Sequence, residues 1–232
     1  MRRGMVIDLE KCIGCRSCAV ACKQHNAQPA GSWWNRVVTP GSDRHLTASA
    51  PENLYFLPIH CQHCQNAPCV KVCPVGATYQ TDDGTVLIDF ERCIGCRYCM
   101  VACPFYVPAF EYEKAFTPRV LKCTFCSHRT SRGQAPACVE ACPYGVMTFG
   151  KRGELLELAH ERITKHPHRY VHHVYGETEV GGTSWLYLSP VSFEKLGFQA
   201  DVPHFAIPEL THGALSVVPM VILLWPAVLG GL

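Results

Sequence analysis

The sequence predicts an α+β chain built on a duplicated, cysteine-dense core, with loop insertions and a C-terminal apolar helix of transmembrane length. Three observations lead there. Sixteen cysteines fall in four runs: Cys12, Cys15, Cys18, Cys22; Cys61, Cys64, Cys69, Cys73; Cys93, Cys96, Cys99, Cys103; and Cys123, Cys126, Cys138, Cys142. The runs are internal copies. VIDLEKCIGCRSCAVAC (6–22) aligns without a gap on LIDFERCIGCRYCMVAC (87–103), and CQHCQNAPCVKVCPVGA (61–77) resembles the CTFC…APACVEACPYGV of the fourth run, which carries a longer insert. Such self-similarity marks a repeated structural unit. Finally, GALSVVPMVILLWPAVLGGL (213–232) contains no charged residue and approaches the length that crosses a hydrocarbon core.

Each copy begins with a short apolar strand, Met5–Ile7 or Val86–Ile88. The cysteine loop follows, then a helical turn ending at the fourth Cys. Pro74, Pro104 and Pro143 stop that turn, whereas Lys23 follows Cys22. Together these elements define a four-run domain over 1–150. Residues 27–53 read as a loop-forming insertion, with WWNRV (33–37) as their one strongly apolar patch. A second segment, 151–212, holds a helix and an extended, partner-docking stretch. The helix runs from 153 to Lys165, with Leu155, Leu158, Ala159 and Ile163 on one face and Pro167 beyond its end. GGTSWLYLSP (181–190) reads as a strand, and 193–212 leads irregularly into the apolar segment at 213–232.

Composition narrows the function. A net charge of +2 argues against a basic nucleic-acid surface. MRRGMVIDLEKC shows no apolar core or cleavage site of a secretory leader, which favours the cytoplasmic face of a membrane, or the periplasmic face if a partner carries the chain across. There is no phosphate loop, dinucleotide fingerprint or nucleophilic triad pattern, so no residue is assigned a catalytic role. Five histidines (His160, His166, His168, His172, His173) fit no standard metal spacing and read as a solvated or partner-facing stretch.

Two-residue gaps let three thiolates of one loop converge on a small inorganic object, while the fourth, past a helical turn, points elsewhere. That is the ligand logic of bacterial two-cluster ferredoxins, in which the fourth Cys of each run serves the other cluster. Zinc would use paired C-x₂-C motifs but leaves the third Cys and the following proline unexplained, and disulfides do not suit cysteines three apart. Sixteen ligands at four per cube correspond to four [4Fe-4S] clusters, all sixteen cysteines binding iron. Arg16, Arg97, Lys23 and Lys122 flank the runs and are candidates to raise cluster potentials. Trp33, Trp34, Phe105, Tyr106 and Tyr144 are candidates to shield clusters or simply to fill the core. Spacing alone leaves the pairing of runs open, because 19 residues separate the second run from the third and 19 the third from the fourth.

With the fourth run stretched to C-x₂-C-x₁₁-C-x₃-C, the chain resembles the iron–sulfur electron-transfer (beta) subunits of the dimethyl sulfoxide reductase, formate dehydrogenase and membrane-bound hydrogenase type, over almost its whole length. EVGGTSWLYLSPVSFEKLGF (179–198) and the apolar tail are similar to the membrane-anchored members. The resemblance implies two interleaved ferredoxin-like modules, the inner runs pairing with each other and the outer runs with each other. One cluster would take Cys12, Cys15, Cys18 and Cys142; a second Cys22, Cys123, Cys126 and Cys138; a third Cys61, Cys64, Cys69 and Cys103; the last Cys73, Cys93, Cys96 and Cys99. It further implies a non-catalytic electron relay between a large catalytic subunit, molybdopterin-dependent or of [NiFe] hydrogenase type, and an integral membrane subunit carrying quinone or haem. Lipid contact would run through 213–232, with no nucleic-acid partner. A soluble polyferredoxin shuttle is the alternative of a different class.

Overall fold

The computed structural model describes residues 1–40, 54–114, 116–199 and 201–230; part of the 27–53 insertion therefore lies outside the described residues. The chain opens with β1 (Arg3–Asp8), the first cysteine loop and α1 (Ser17–His25). β2 (Arg36–Val38) and β3 (Leu57–Ile59) form an antiparallel pair, so the insertion expected to be loop contributes a strand from its WWNRV patch, with Val37 turned inward. The inner half follows: α2 (Pro68–Lys71), β4 (Thr78–Gln80), β5 (Val86–Ile88) and α3 (Tyr98–Val101). A small pair, β6 (Ala109–Phe110) and β7 (Val120–Leu121), leads to α4 (Ser127–Thr130), α5 (Ala137–Glu140) and β8 (Met147–Lys151). α6 (Arg152–Lys165), β9 (Trp185–Leu188) and α7 (Glu209–Gly230) complete the chain.

Strand pairing resolves the choice that spacing leaves open. β4 and β5 pair antiparallel, with Tyr79 opposite Leu87, and α2 packs on α3. β1 pairs antiparallel with β8, Met5 opposite Phe149, and α1 packs on α5. The inner half is thus one module, and the two chain segments that flank it form a second module of the same plan around it. The duplicated loops repeat down to backbone torsions. Gly14 and Gly95 have φ of +72° and +68°, and Arg16 and Arg97, which start α1 and α3, have φ of 61° and 63°. A left-handed residue at the start of each helix turns the chain sharply enough for the loop to close over its own centre.

β1 is the middle strand of the main sheet, with β9 parallel on its other edge. Met5, Val6 and Ile7 are fully buried, each contributing roughly 1.5–3 kcal/mol of transfer free energy. α6 lies on this sheet and buries Leu155, Ala159 and Ile163, the stripe its periodicity predicts, with Leu158 partly buried beside them. The 151–212 segment therefore completes the core sheet through β9. Trp185 and Tyr187 from that strand sit fully inside the core.

The expected C-terminal apolar helix is α7, 22 residues long. Its described apolar side chains, Val217 to Trp225 among them, are exposed, with no cover among the described residues. Among the described residues, however, no helix is long and apolar enough to cross a membrane. The transmembrane reading of this segment is corrected accordingly.

Candidate iron–sulfur sites

α1 and α5 lie side by side and each carries cysteines to two places. Cys18 and Cys22 are one turn apart on α1; Cys138 is on α5 and Cys142 two residues beyond it. Cys18 and Cys142 line one cavity of ≈ 330 Å³ together with Cys12 and Cys15. Cys22 and Cys138 line another, of ≈ 310 Å³, together with Cys123 and Cys126. Each helix thus hands one thiol to each cavity.

The inner module repeats the exchange, and the mutual electrostatics of its thiols reveal it. Burial raises the Cys64 thiol well above its ordinary value, and Cys103, Cys61 and Cys69 push it further. Burial raises Cys99 to about 11, helped by Cys93, Cys96 and Cys73. Cys69 and Cys73 on one side, and Cys99 and Cys103 on the other, are thus split between two groups of four. All sixteen predicted cysteines are brought into groups of four, each drawing on two different runs.

The groups adjoin one another in series. Cys22, pushed up to about 12 by burial, feels Cys126 of its own group and Cys18 of the first. Cys123, raised by burial, feels Cys22 and, across the modules, Cys61 of the third group. Cys69, at about 12 from burial and Cys61, also feels Cys99 of the fourth. Solvent reaches the ends: Cys15 and Cys96, in the first and fourth groups, are exposed, whereas all four thiols of the second group are buried. Exposure shows in acidity. The Ser17 hydroxyl and backbone N–H lower Cys15, and at Cys73 the backbone N–H groups of Thr78, Val75 and Ala77 outweigh burial.

The chemistry of these sets suits a polynuclear cluster better than a lone ion. Among the described residues no three His, Cys, Asp or Glu side chains converge closely enough to hold a single metal ion. Thiols spread around a cavity instead match the corners of an iron–sulfur cube. Backbone N–H groups already point at the sulfurs: Thr78 N–H donates to Cys73 Sγ at 3.4 Å, Val146 N–H to Cys142 Sγ at 3.4 Å and Phe125 N–H to Cys123 Sγ at 3.3 Å. The second and fourth runs also share a strained turn. His63 and Phe125 occupy matching positions at φ 45° and 56°, and their rings meet edge-on at 4.9 Å across the module boundary. Non-glycine residues hold such torsions only when their surroundings enforce them.

Of the four flanking cations, Lys122 alone is buried. Its ammonium donates to the carbonyls of Val86 and Cys123 and lowers both the Cys69 thiol and the His63 imidazole. Lys23 instead pins the insertion, bonding Pro29 O and Ser32 O at 2.8 Å and lying 4.5 Å over Trp33. Arg97 lies over Phe110, and Arg16 is exposed. Among the aromatic candidates, Trp34 lines the second cavity and Tyr144 the first, Phe105 packs against the core, and Trp33 and Tyr106 are largely exposed. Two of the stretch's histidines pair with carboxylates, His160 with the partly exposed Glu177 at 3.1 Å and His173 with the buried Glu179 at 2.7 Å. Sequence reasoning missed Asn35, His60 and Trp185 beside the second cavity. Nothing in their spacing relates them to a cysteine run; the main sheet and the insertion bring them there.

Two ferredoxin-like modules with four cysteine groups define a double-dicluster iron–sulfur protein. Profiles of the 4Fe-4S dicluster domain match residues 11–77 and 52–152, and two such domains correspond to four [4Fe-4S] clusters. The chain is 44% identical to the thiosulfate reductase electron transfer subunit PhsB of Salmonella typhi, over 65% of this chain and 76% of that one. It is 36% identical to the iron-sulfur subunit of the nitrate-inducible formate dehydrogenase of Escherichia coli, over 90% of this chain and 70% of that one. To the hydrogenase-2 operon protein HybA of Escherichia coli O157:H7 it is 33% identical, over 92% and 76%. It spans 65% of the length of other curated relatives that it matches. The chain belongs to the iron–sulfur electron-transfer subunit family of the dimethyl sulfoxide reductase, formate dehydrogenase and membrane-bound hydrogenase type.

Proposed function

We propose that this chain is the electron-transfer subunit of a membrane-associated oxidoreductase complex, holding one [4Fe-4S] cluster in each of the four cysteine groups. The sets are Cys12, Cys15, Cys18, Cys142; Cys22, Cys123, Cys126, Cys138; Cys61, Cys64, Cys69, Cys103; and Cys73, Cys93, Cys96, Cys99. When bound, these groups supply one-electron redox chemistry over a wide range of potentials. The polypeptide supplies the rest. It orders the thiol groups in series, directs backbone N–H groups at them, and keeps water from the second group while leaving exposed thiols in the first and the fourth.

The observation that carries this reading is the series of adjoining groups, with its buried second group and with exposed thiols, Cys15 and Cys96, in the first and the fourth. A catalyst would converge residues on one pocket; a relay needs two accessible termini. A catalytic subunit of molybdopterin type would dock at one end and a quinone- or haem-linked membrane subunit at the other. The likeness to HybA supports a [NiFe] hydrogenase as the second candidate for the catalytic partner. The exposed apolar side of α7 supports association with a membrane partner or lipid, and a soluble shuttle would have no use for it.

Anaerobically isolated protein should contain about sixteen irons per chain and show magnetically coupled cubane signals at low temperature. Zinc in place of iron would end the proposal. Removing 209–232 should release the chain from membranes with its iron retained; membrane association that survives the deletion would end the role given to α7.

A further inference from the structure

The second cavity differs from the first in a way the relay function does not require. Three side-chain nitrogens on its lining are buried and without a hydrogen-bond partner among the described residues: Trp34 Nε1, His60 Nε2 and Trp185 Nε1; the Asn35 side chain also lines it but hydrogen-bonds the Cys18 thiol of the first group. His60 and Trp185 are each 1% exposed. Leaving a buried donor unmade costs about 1–3 kcal/mol, so three around one cavity is a burden the fold would shed unless something inside accepts from them. None of the unpartnered atoms belongs to the lining of the first cavity, among the described residues.

The geometry around these atoms holds them in place. The His60 ring stacks on Trp185 with centroids 3.7 Å apart, and its Nδ1 lies 3.5 Å from the Tyr187 hydroxyl, which leaves Nε2 for the cavity. Trp34 is fixed through its backbone N–H, which donates to Gln28 Oε1 at 3.0 Å. The Gln28 amide in turn donates to Cys22 Sγ at 3.2 Å, and Asn26 Nδ2 does so at 3.7 Å. Cys22 is therefore already a sulfur with two side-chain donors. The residues come from the insertion (Trp34), from the approach to the second run (His60) and from β9 (Trp185), three parts of the chain that converge only here.

We propose that Trp34, His60 and Trp185 donate hydrogen bonds to the sulfur atoms of the group held by Cys22, Cys123, Cys126 and Cys138, and so set its reduction potential above the value that burial imposes. This rests on the ligand assignment proposed above. Reduction adds a negative charge. In a site with no exposed thiol, desolvation opposes that charge and lowers the potential, whereas each N–H directed at sulfur favours it and raises the potential. The insertion and β9 thereby become tuning elements for one interior position of the series.

The test is an EPR-monitored redox titration of the anaerobic holoprotein and of its Trp34→Phe and Trp185→Phe variants, each with its iron counted. The phenylalanine variants keep the ring and lose the donor. Each variant should keep about sixteen irons and show one midpoint moved to lower potential, the same one in every case, with the other three unmoved. A His60→Gln variant, which retains an N–H, should shift less than His60→Leu. Full iron with four unmoved midpoints, or a uniform shift of all four, would overturn the inference. A native chain with far fewer irons would instead overturn the ligand assignment. Should a variant lose iron, pulsed EPR of the unaltered chain labelled with ¹⁵N-indole tryptophan decides: hyperfine coupling of indole nitrogen to one cluster is expected, and its absence from all clusters refutes the donor ring.

Discussion

The two CIGCR loops permit a controlled experiment, because the same glycine sits in the same torsion in two different surroundings. Gly14→Ala and Gly95→Ala both place a side chain at positive φ, +72° and +68°, which costs about 1–2 kcal/mol. At Gly95 the new methyl would meet Pro118 Cγ and O at 3.3 Å, a tight contact relieved by a shift of a few tenths of an ångström. At Gly14 it would lie 2.3 Å from Cδ1 and 2.5 Å from Cε1 of Phe56, so the ring must retreat by roughly 1 Å to restore carbon–carbon contact. Phe56 packs against the main core, and forcing such a ring aside costs about 1–3 kcal/mol more. Gly95→Ala should therefore lose about 1–2 kcal/mol and Gly14→Ala about 2–5 kcal/mol. Anaerobic guanidinium titration, followed by the visible absorbance of the bound iron groups, compares them directly. Equal losses for the two variants, or a smaller loss at Gly14, would refute the steric argument.

Other consequences are equally direct. Cys142→Ala should disturb the cluster served by Cys12, Cys15 and Cys18, although 120 residues and more of sequence separate them; EPR signals from the inner module should stay as they are. Glu111 is held down to about 2, first by the Arg119 hydrogen bonds and also by Lys114. Its stabilising contribution is present above the ordinary carboxylate value and fades as pH falls towards 2. In Arg119→Met, NMR titration of Glu111 should return towards the ordinary range; an unmoved value would contradict the assigned cause. Ile163→Ala removes a fully packed side chain from α6 and should cost about 2–5 kcal/mol in denaturant unfolding, with the cluster potentials unchanged because α6 covers the sheet face away from the cysteines. Altered potentials in that variant would place α6 closer to the electron path than its contacts do.

The sequence alone determined a good deal of this protein. The cysteine spacing and the duplication pointed to the candidate ligands and to the kind and number of inorganic groups they suit, because a thiolate loop around a cube is a local object written within a dozen residues. The stripe of α6 and the strands at Met5–Ile7 and Val86–Ile88 were equally local, readable from side-chain periodicity. Long-range facts were not. Spacing could not choose between pairings of runs; strand partnership, β1 with β8 and β4 with β5, did. Nor could it foresee that Trp185, far along the chain, stacks on His60, or that the insertion sends Trp34 and Asn35 to the most buried cysteine group. Only the tertiary structure also ordered the four groups in series, with exposed thiols in the first and the fourth. Burial and proximity depend on which distant segments exclude water together, and no local pattern of residues encodes that.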